Sequence, residues 1–451
     1  MSPYAVVFVE GNYNRYSLAV LTGVLEADER FQDLDLHFLK SQQRTPSGKP
    51  INTHFYEHIL ALANRYQKLV VALSFHTANI IEIGATLGGL RDCLDQHQIE
   101  HVLLIAGGSH PSGDPFGTLQ LGVDVVVVGE GEVTFPNLLE RYLTDKPYTD
   151  IKGLGFCDAD GRYHLTGCPD LIDLSDFPPY AVKHKRFCPI EISRGCPWGC
   201  TFCLTSFFMG GRMRHRSLAS IVNHAEFGKR IGLRILRFIS PASFAYGSPD
   251  GRTVNLDALE TLLRTVSAMY GKDQVYLGSF PSEIRPEQVL PETLALIRTY
   301  CANQNIVIGA QSGSDSLLHA VHRGHGVAEV LRATELTLAA GLIANVDFIF
   351  GIPGETQQDR AATLALMQRL IKMGARLHGH TFMPLVGTPL SQNQPGVVDQ
   401  ATRQFLESLR GKRLEHGRWK KQERLARATT AFLARQKTSP PQIPPHDQSC
   451  G

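Results

Sequence analysis

Short apolar or alternating runs at Tyr4–Val9, Leu34–Leu39, Lys68–Ser74, His101–Ala106 and Val123–Val128 predict five strands in the first third of the chain. Between them, apolar positions recur at helical spacing over Ser17–Ala27, His54–Tyr66 and Glu82–Gln96. Strands alternating with helices imply a parallel, doubly wound α/β sheet, which binds its ligands outside the carboxyl ends of the strands. The loops at those ends read Glu10-Gly11-Asn12, Ser74-Phe75-His76-Thr77, Gly107-Gly108-Ser109-His110 and Gly129-Glu130-Gly131-Glu132. Glycines there let the backbone turn tightly and approach a ligand closely. The pattern then changes. Residues 150–170 read as a small β-meander turning at Asp160-Gly161, and DLSDFPPY (173–180) carries two prolines and is predicted to be extended.

A second series begins at Pro189, with strands predicted at Pro189–Ser193, Ile235–Ile239, Val275–Phe280, Ile306–Gly309, Ala344–Phe350 and Gly379–Met383. About six βα units in roughly 200 residues predict a partial barrel, with its site at the carboxyl ends of the strands. The expected division is 1–145 for the doubly wound domain, 146–185 for the linker, 186–395 for the barrel, 396–437 for a basic helical extension and 438–451 for a proline-rich tail expected to be disordered. Residues 401–437 hold eleven Lys/Arg against three Glu. They are read as helices that pack through Phe405, Leu409, Leu414 and Leu425, in preference to a nucleic-acid-binding surface.

Composition narrows the class. The 451 residues are 43% hydrophobic and 20% charged, with a net charge of +2, so bulk charge points to neither nucleic acid nor membrane. No apolar run is long enough to span a bilayer, and the amino terminus lacks the pattern of a secretory signal, so a cytoplasmic protein is expected. Nine cysteines are unevenly spread, and three of them fall within eight residues, which favours metal or redox chemistry over a disulfide framework.

Those three, in EISRGCPWGCTFC, are Cys196, Cys200 and Cys203, spaced C-x3-C-x2-C directly after a predicted strand. Thiolates are the preferred ligands of iron–sulfur clusters, and three on one loop can hold a cubane while leaving one iron open. Zinc, which prefers a fourth Cys or His, and purely structural cysteines are the weaker readings.

The triplet, with Phe202 before its last cysteine, resembles the signature of radical S-adenosylmethionine (SAM) enzymes. The resemblance continues through Gly309-Ala310-Gln311-Ser312-Gly313-Ser314-Asp315, through Arg323 in VHRGHG, through DFIFGIPGET (347–356) and through Phe382-Met383-Pro384-Leu385. It implies a [4Fe–4S] cluster on the three cysteines. It also implies SAM contacts from Phe202, Ser240, Gln311, Ser312, Arg323, Ile349, Gly351 and Phe382. Two departures stand out: Gln311 replaces the usual Glu, and Ser240-Pro241-Ala242-Ser243 occupies the place of the glycine-glycine-glutamate element. In that family the open iron chelates SAM, and one electron releases a 5′-deoxyadenosyl radical that abstracts hydrogen.

The doubly wound domain ahead of such a barrel resembles the cobalamin (B12)-binding subclass, with LLIAGGSHPSG and VVVGEGEVTFPNLLE as the nearest matches. The cobalamin contacts this implies are Glu10, Asn12, Ser74, His76, Gly107, Gly108, His110, Gly129, Glu130 and Gly131. The D-x-H-x-x-G motif that donates a histidine to cobalt is absent after the first strand. Asp35-Leu36-His37 begins like it but ends in Lys40, so His37 is read as a strand residue and cobalt is expected to take no protein histidine.

The resemblance therefore implies an enzyme with three cofactors: a [4Fe–4S] cluster, SAM and cobalamin. Its expected activity is methyl transfer to an unactivated carbon or phosphorus of a small molecule, fed by an electron donor such as flavodoxin or ferredoxin. A cyclase or rearrangement enzyme of the same architecture is the alternative among enzymes. A non-catalytic cobalamin or iron–sulfur sensor is the alternative outside them. Methylthiotransferases place three cysteines in their first domain, and residues 1–140 here hold only Cys93.

Overall fold

The computed structural model describes residues 2–41, 43–44, 50–51 and 53–436. The tail at 438–451 lies outside them. Two compact units divide the chain. The first runs to Ile172 and includes Phe177–Cys188 and the residues from Ala431 on; the second holds Asp173–Asp176 and Pro189–Thr430.

The first unit is built on strands β1 (Tyr4–Glu10), β2 (Asp35–Lys40), β3 (Lys68–Ser74), β4 (Val102–Gly107) and β5 (Val125–Val127). They are parallel, in the order β2-β1-β3-β4-β5. Side chains alternate between faces along a strand, and here both faces are buried. Val7, Val9, Val71, Leu73 and Leu104 pack on one side against Phe55 and Ile59 of α2 (Thr53–Ala63) and Ile83, Leu87 and Leu90 of α3 (Ile80–Gln96). Val6, Phe8, Val70, Leu103 and Ile105 pack on the other against Leu18 and Leu25 of α1 (Arg15–Ala27) and Phe135, Leu138 and Leu139 of α4 (Gly131–Leu143). Each apolar strand is therefore explained by two helical stripes.

The predicted meander is a hairpin of β6 (Leu154–Cys157) and β7 (Tyr163–Leu165), turning at Gly161 with φ +75°. It extends the same sheet, antiparallel to β5, so the sheet has seven strands. The segment after it is tied back by one carboxylate. Glu26 of α1 accepts from the backbone N–H of Val182 (2.7 Å), Lys183 (3.0 Å) and His184 (2.9 Å) and pairs with His184 Nδ1 at 2.8 Å. His37 lies in β2 with Nε2 3.1 Å from the Tyr66 hydroxyl, a strand residue as its pattern predicted.

The second unit holds six parallel strands in sequence order: β8 (Ile190–Glu191), β9 (Leu236–Ile239), β10 (Val275–Tyr276), β11 (Asn305–Gln311), β12 (Ile343–Phe350) and β13 (Arg376–Thr381). The ladder is interrupted between β10 and β11. There Asn303 substitutes for it, accepting from Leu277 N (3.2 Å) and donating to Leu277 O (2.7 Å) with its side chain. Downstream, Ile284 bridges Ile308 in parallel. The partial barrel predicted from the strand count is thus present, its strands offset from the predicted bounds by a few residues.

The basic extension forms two helices, Gln400–Arg410 and Trp419–Gln436. The first is capped by Asp399, whose carboxylate accepts from Thr402 N. Leu406, Leu409 and Trp419 are buried, with Arg403 stacked 5.1 Å over the Trp419 ring. Glu423 receives both Arg403 and Arg427 at 2.8 Å. Packing runs through Leu406, Leu409 and Trp419, with Phe405, Leu414 and Leu425 half-buried. Among the described residues no helix is long and apolar enough to cross a membrane.

Candidate functional site

A cavity of about 410 Å³ opens at the carboxyl ends of the barrel strands. Cys196, Cys200 and Cys203 form one wall. Their loop leaves β8 through a residue that only glycine can supply. Gly195 has φ +83°, and a Cβ there would run into the Arg212 carbonyl. The loop is then held by its own backbone. Cys196 N donates to Gly210 O (3.1 Å), Cys203 N to Cys200 O (2.9 Å), and the Ser206 hydroxyl both receives Gly199 N (3.1 Å) and donates to Cys196 O (2.7 Å). Burial pushes the Cys196 thiol up.

Two buried arginines stand beside the thiols. Arg285 stacks 3.9 Å over the Trp198 ring and donates to the Arg323 carbonyl and to Glu287. Arg323 reaches Cys200 Sγ at 3.7 Å and Gly309 O at 2.8 Å. Burial raises Glu287, but the His325 imidazole 3.4 Å away and the Arg285 charge outweigh it and hold the carboxyl at about 2. Glu287 pairs with Arg285, while Arg323 brings a positive charge against Cys200. That charge suits an anionic cluster and a ligand carboxylate.

Gln311 ends β11 where the ladder with β12 slips, and its φ is +73°. Such a bulge re-aims a side chain. Here Nε2 donates to Ser282 Oγ at 3.1 Å, while Oε1 is buried without a hydrogen-bond partner among the described residues. The Arg323 Nε and Trp198 Nε1 atoms are in the same state. Ser240, Ile349, Phe202 and Phe382 complete the wall. Of the residues the sequence pointed to for SAM, those four, Gln311 and Arg323 line the cavity. Ser312 instead meets Thr363 Oγ1 at 3.2 Å, and Gly351 packs on Gly396. Where the glycine-glycine-glutamate element is missing, Glu283 spans the gap. Its carboxylate accepts from Ser240 N and Phe280 N, each at 3.0 Å, and burial pushes it up to about 7.

Sequence reasoning missed Trp198, Ser282, Glu283, Arg285, His380 and Gln422, all of which touch the cavity or its arginines. Glu283 and Arg285 follow a predicted strand, where loop residues face the barrel mouth. His378 and His380 sit two apart in β13 and so share a face.

In the first unit the predicted loops meet at the carboxyl ends of β1, β3, β4 and β5. The strand order reverses between β1 and β3, which makes their ends the ligand crevice of such a sheet. Asn14 fastens the two loops, donating to Val9 O (2.9 Å) and Ser74 O (3.0 Å). Ser74 Oγ meets Ser17 Oγ at 3.1 Å. His76 is exposed, its Nδ1 2.8 Å from Ser109 Oγ and its Nε2 3.3 Å from Tyr13 O, and Asn12 is exposed just past the β1 end. His110 is fully buried against Phe75, its Nδ1 3.2 Å from Thr77 Oγ1, and burial depresses it to about 4. It is therefore not a solvated loop histidine. Gly108 has φ +95°, and a Cβ would meet Ser74 Oγ at 2.9 Å, so the β4 turn presses directly on the β3 loop. Gly107 ends β4, and Gly129 and Gly131 flank Glu130 at the start of α4. Glu10 pairs with Arg186 at 3.2 Å, and Glu130 accepts from Ile172 N at 2.9 Å.

Comparison with known proteins agrees with both halves of this description. Residues 190–367 match the Radical SAM superfamily and residues 5–139 match the B12 binding domain. The chain thus joins a B12-binding domain to a radical SAM domain. A putative methylthiotransferase of Methanocaldococcus jannaschii is 29% identical over 250 residues, 54% of this chain and 52% of that protein. The radical SAM methyltransferase TsrM from Kitasatospora setae, solved with cobalamin and a [4Fe–4S] cluster, superposes with a TM-score of 0.64 at 15% identity. It covers 87% of this chain and 78% of its own. The cobalamin-dependent radical enzyme OxsB, solved with aqua-cobalamin and SAM, gives 0.66 at 14%, covering 96% of this chain and 67% of its own. At such identities these two structures share the fold. The chain spans about half to two-thirds of the length of the curated relatives it matches.

Proposed function

We propose that this protein is a cobalamin-dependent radical SAM methyltransferase acting on an unactivated carbon or phosphorus of a small molecule, with a flavodoxin- or ferredoxin-like electron donor. The observation that carries the reading is the second-unit cavity. It presents three thiols, the buried Arg285 and Arg323, and two polar atoms without a hydrogen-bond partner among the described residues, Gln311 Oε1 and Arg323 Nε. When bound, a [4Fe–4S] cluster and SAM supply one-electron chemistry and cobalamin supplies a methyl carrier. Everything else falls to side chains of this chain. Cys196, Cys200 and Cys203 would hold the cluster. Arg323 would pair with the SAM carboxylate through its planar fork, and the free Gln311 Oε1 would accept from a ribose hydroxyl or the amino group. Phe202, Ile349 and Phe382 give an apolar wall that excludes water from the reacting centre. Glu283 holds the β9 and β10 exit loops together where the family's usual element is missing. In the first unit the loops Glu10–Tyr13, Ser74–Thr77, Gly107–His110 and Gly129–Gly131 would seat the corrin.

The test is anaerobic turnover with trideuteromethyl-SAM, a reductant and fractionated metabolite extract. Methyl transfer yields S-adenosylhomocysteine, 5′-deoxyadenosine and a deuterated product together. 5′-Deoxyadenosine without S-adenosylhomocysteine or label would move the protein to rearrangement chemistry. Intact SAM under reducing conditions would remove the enzyme reading altogether.

A further inference from the structure

On the barrel wall, Asp347 of β12 lies directly beside His378 of β13 in the ladder, and His380 follows on the same face. Asp347 is wholly buried. Its Oδ1 is 3.0 Å from His378 Nδ1, and that nitrogen is 3.2 Å from His380 Nε2. All three ligand atoms lie within 4.8 Å of one another. His380 and its neighbours Ser282 and Gln422 line the cavity.

With the Gln422 amide in its observed orientation, protons alone do not satisfy this cluster. Thr381 N donates to Gln422 Oε1 (3.1 Å), which turns the amide nitrogen toward His380 Nδ1, also at 3.1 Å. A neutral His380 then carries its proton on Nε2, aimed at His378 Nδ1. The same His378 nitrogen faces the Asp347 carboxylate, which needs a donor. One ring nitrogen cannot accept from His380 and donate to Asp347 at once. Three lone pairs converging on a cation remove the clash between the two rings, once the Gln422 carboxamide turns over to accept the His380 Nδ1 proton.

The spacing suits such a cation. Metal–ligand bonds of about 2.1 Å place neighbouring ligands roughly 3.0 Å apart at right angles and about 3.4 Å apart in a tetrahedron. The two measured separations fall in that interval. Two imidazoles and a carboxylate on one side of an ion suit zinc, iron(II) or manganese and leave further positions open. Part of the outer ring is also present. Ser282, itself at φ +56°, donates to Asp347 Oδ2 at 2.7 Å, and the Gln422 carboxamide would offer its oxygen to a proton on His380 Nδ1 by turning over and releasing Thr381 N.

We infer that Asp347, His378 and His380 form a mononuclear divalent-metal site, separate from the cysteine triplet, whose open positions face the cavity and take an anionic oxygen of the bound substrate. The metal site itself stands whether or not the reaction is methyl transfer.

The probe is Co²⁺ added anaerobically to protein in which Cys196, Cys200 and Cys203 are Ala, read by metal content per chain and by visible d–d absorption. One equivalent is expected, with the absorption lost in His378→Ala and His380→Ala. Gln422→Ala, an outer partner, is expected to weaken Co²⁺ by about tenfold. Circular dichroism of each variant separates lost binding from lost fold. If the triple variant does not fold, Mn²⁺ titration of the cluster-reconstituted natural sequence, followed by loss of the free-ion EPR signal, reads the same site against Asp347→Asn. Stoichiometric binding that survives the histidine changes, or no binding by folded protein, overturns the site and identifies the cluster as an imidazolium–carboxylate pair. Failure here with SAM turnover intact leaves the proposed function standing.

Discussion

At the scale of single residues, the site is a contest between burial and charge. Each thiol of the triplet matters because a cubane with two protein thiolates is poorly held. Cys196→Ala, Cys200→Ala or Cys203→Ala should therefore abolish the cluster absorption and SAM cleavage, and iron content like that of the natural sequence in the triple variant would sink the assignment. Arg285 is 2% exposed yet carries a full charge. Its partners are the Glu287 carboxylate, the Arg323 carbonyl and the Trp198 face. Removing one member of a buried pair strands the other, at about 3–5 kcal/mol. Arg285→Met should lower the urea stability of the second unit toward that range, with Glu287→Gln in the same chain recovering part of it. A loss under about 1 kcal/mol would mean His325 alone satisfies Glu287. The Arg285 contacts were not legible in the sequence. The triplet announces itself by local spacing, whereas Arg285 meets Trp198 and Arg323 only after the barrel brings their loops together.

At the scale of elements, strands and helices were legible because their burial is periodic. β3 is buried on both faces and reads as a continuous apolar run, and the helices beside it read by their stripes. The edges were less so: β10 shrinks to Val275–Tyr276 because Asn303 takes over its hydrogen bonds, a side-chain substitution with no local signal. The tie between α1 and the 182–184 segment is of the same kind, and it should be visible in pH. Burial raises the Glu26 carboxyl, but the His184 side chain and three backbone N–H groups outweigh it and hold it below its ordinary value of 4.5. A depressed carboxylate binds fewer protons in the folded than in the unfolded state. Its contribution is thus complete above pH 4.5 and is lost as pH falls through the folded value. Glu26→Gln should be less stable than the natural sequence at pH 7, and the difference should close in acid. A gap that stays constant with pH would mean the glutamine keeps the backbone bonds. At the cluster loop, Gly195→Ala should cost iron retention without touching a ligand, since its Cβ and the Arg212 carbonyl cannot coexist.

At the scale of the whole molecule, two cores predict two places where cofactors can act, and they can be told apart without knowing the substrate. The first unit has its own two-faced sheet, and even the last helix contributes to it, since Phe432 and Leu433 pack against that core. A ligand that binds only folded protein stabilises it by RT ln(1 + [L]/Kd), about 2.7 kcal/mol at a hundredfold excess over Kd. That energy appears first as slower exchange of the amides it touches. Hydroxocobalamin added to cluster-free protein should therefore protect the backbone at Glu10–Tyr13, Ser74–Thr77, Gly107–His110 and Gly129–Gly131, read by hydrogen exchange and peptide mass spectrometry. His37→Ala should leave that protection intact, because His37 sits in β2 against Tyr66 and away from the strand ends. Ending the chain after Thr430 should weaken it, because the truncation takes Phe432 and Leu433 out of the core that supports those loops. Protection by a flavin or nucleotide in place of cobalamin, at the same loops, would keep the fold and remove the cobalamin reading. Protection confined to other segments would show that the crevice between β1 and β3 is not where the ligand sits.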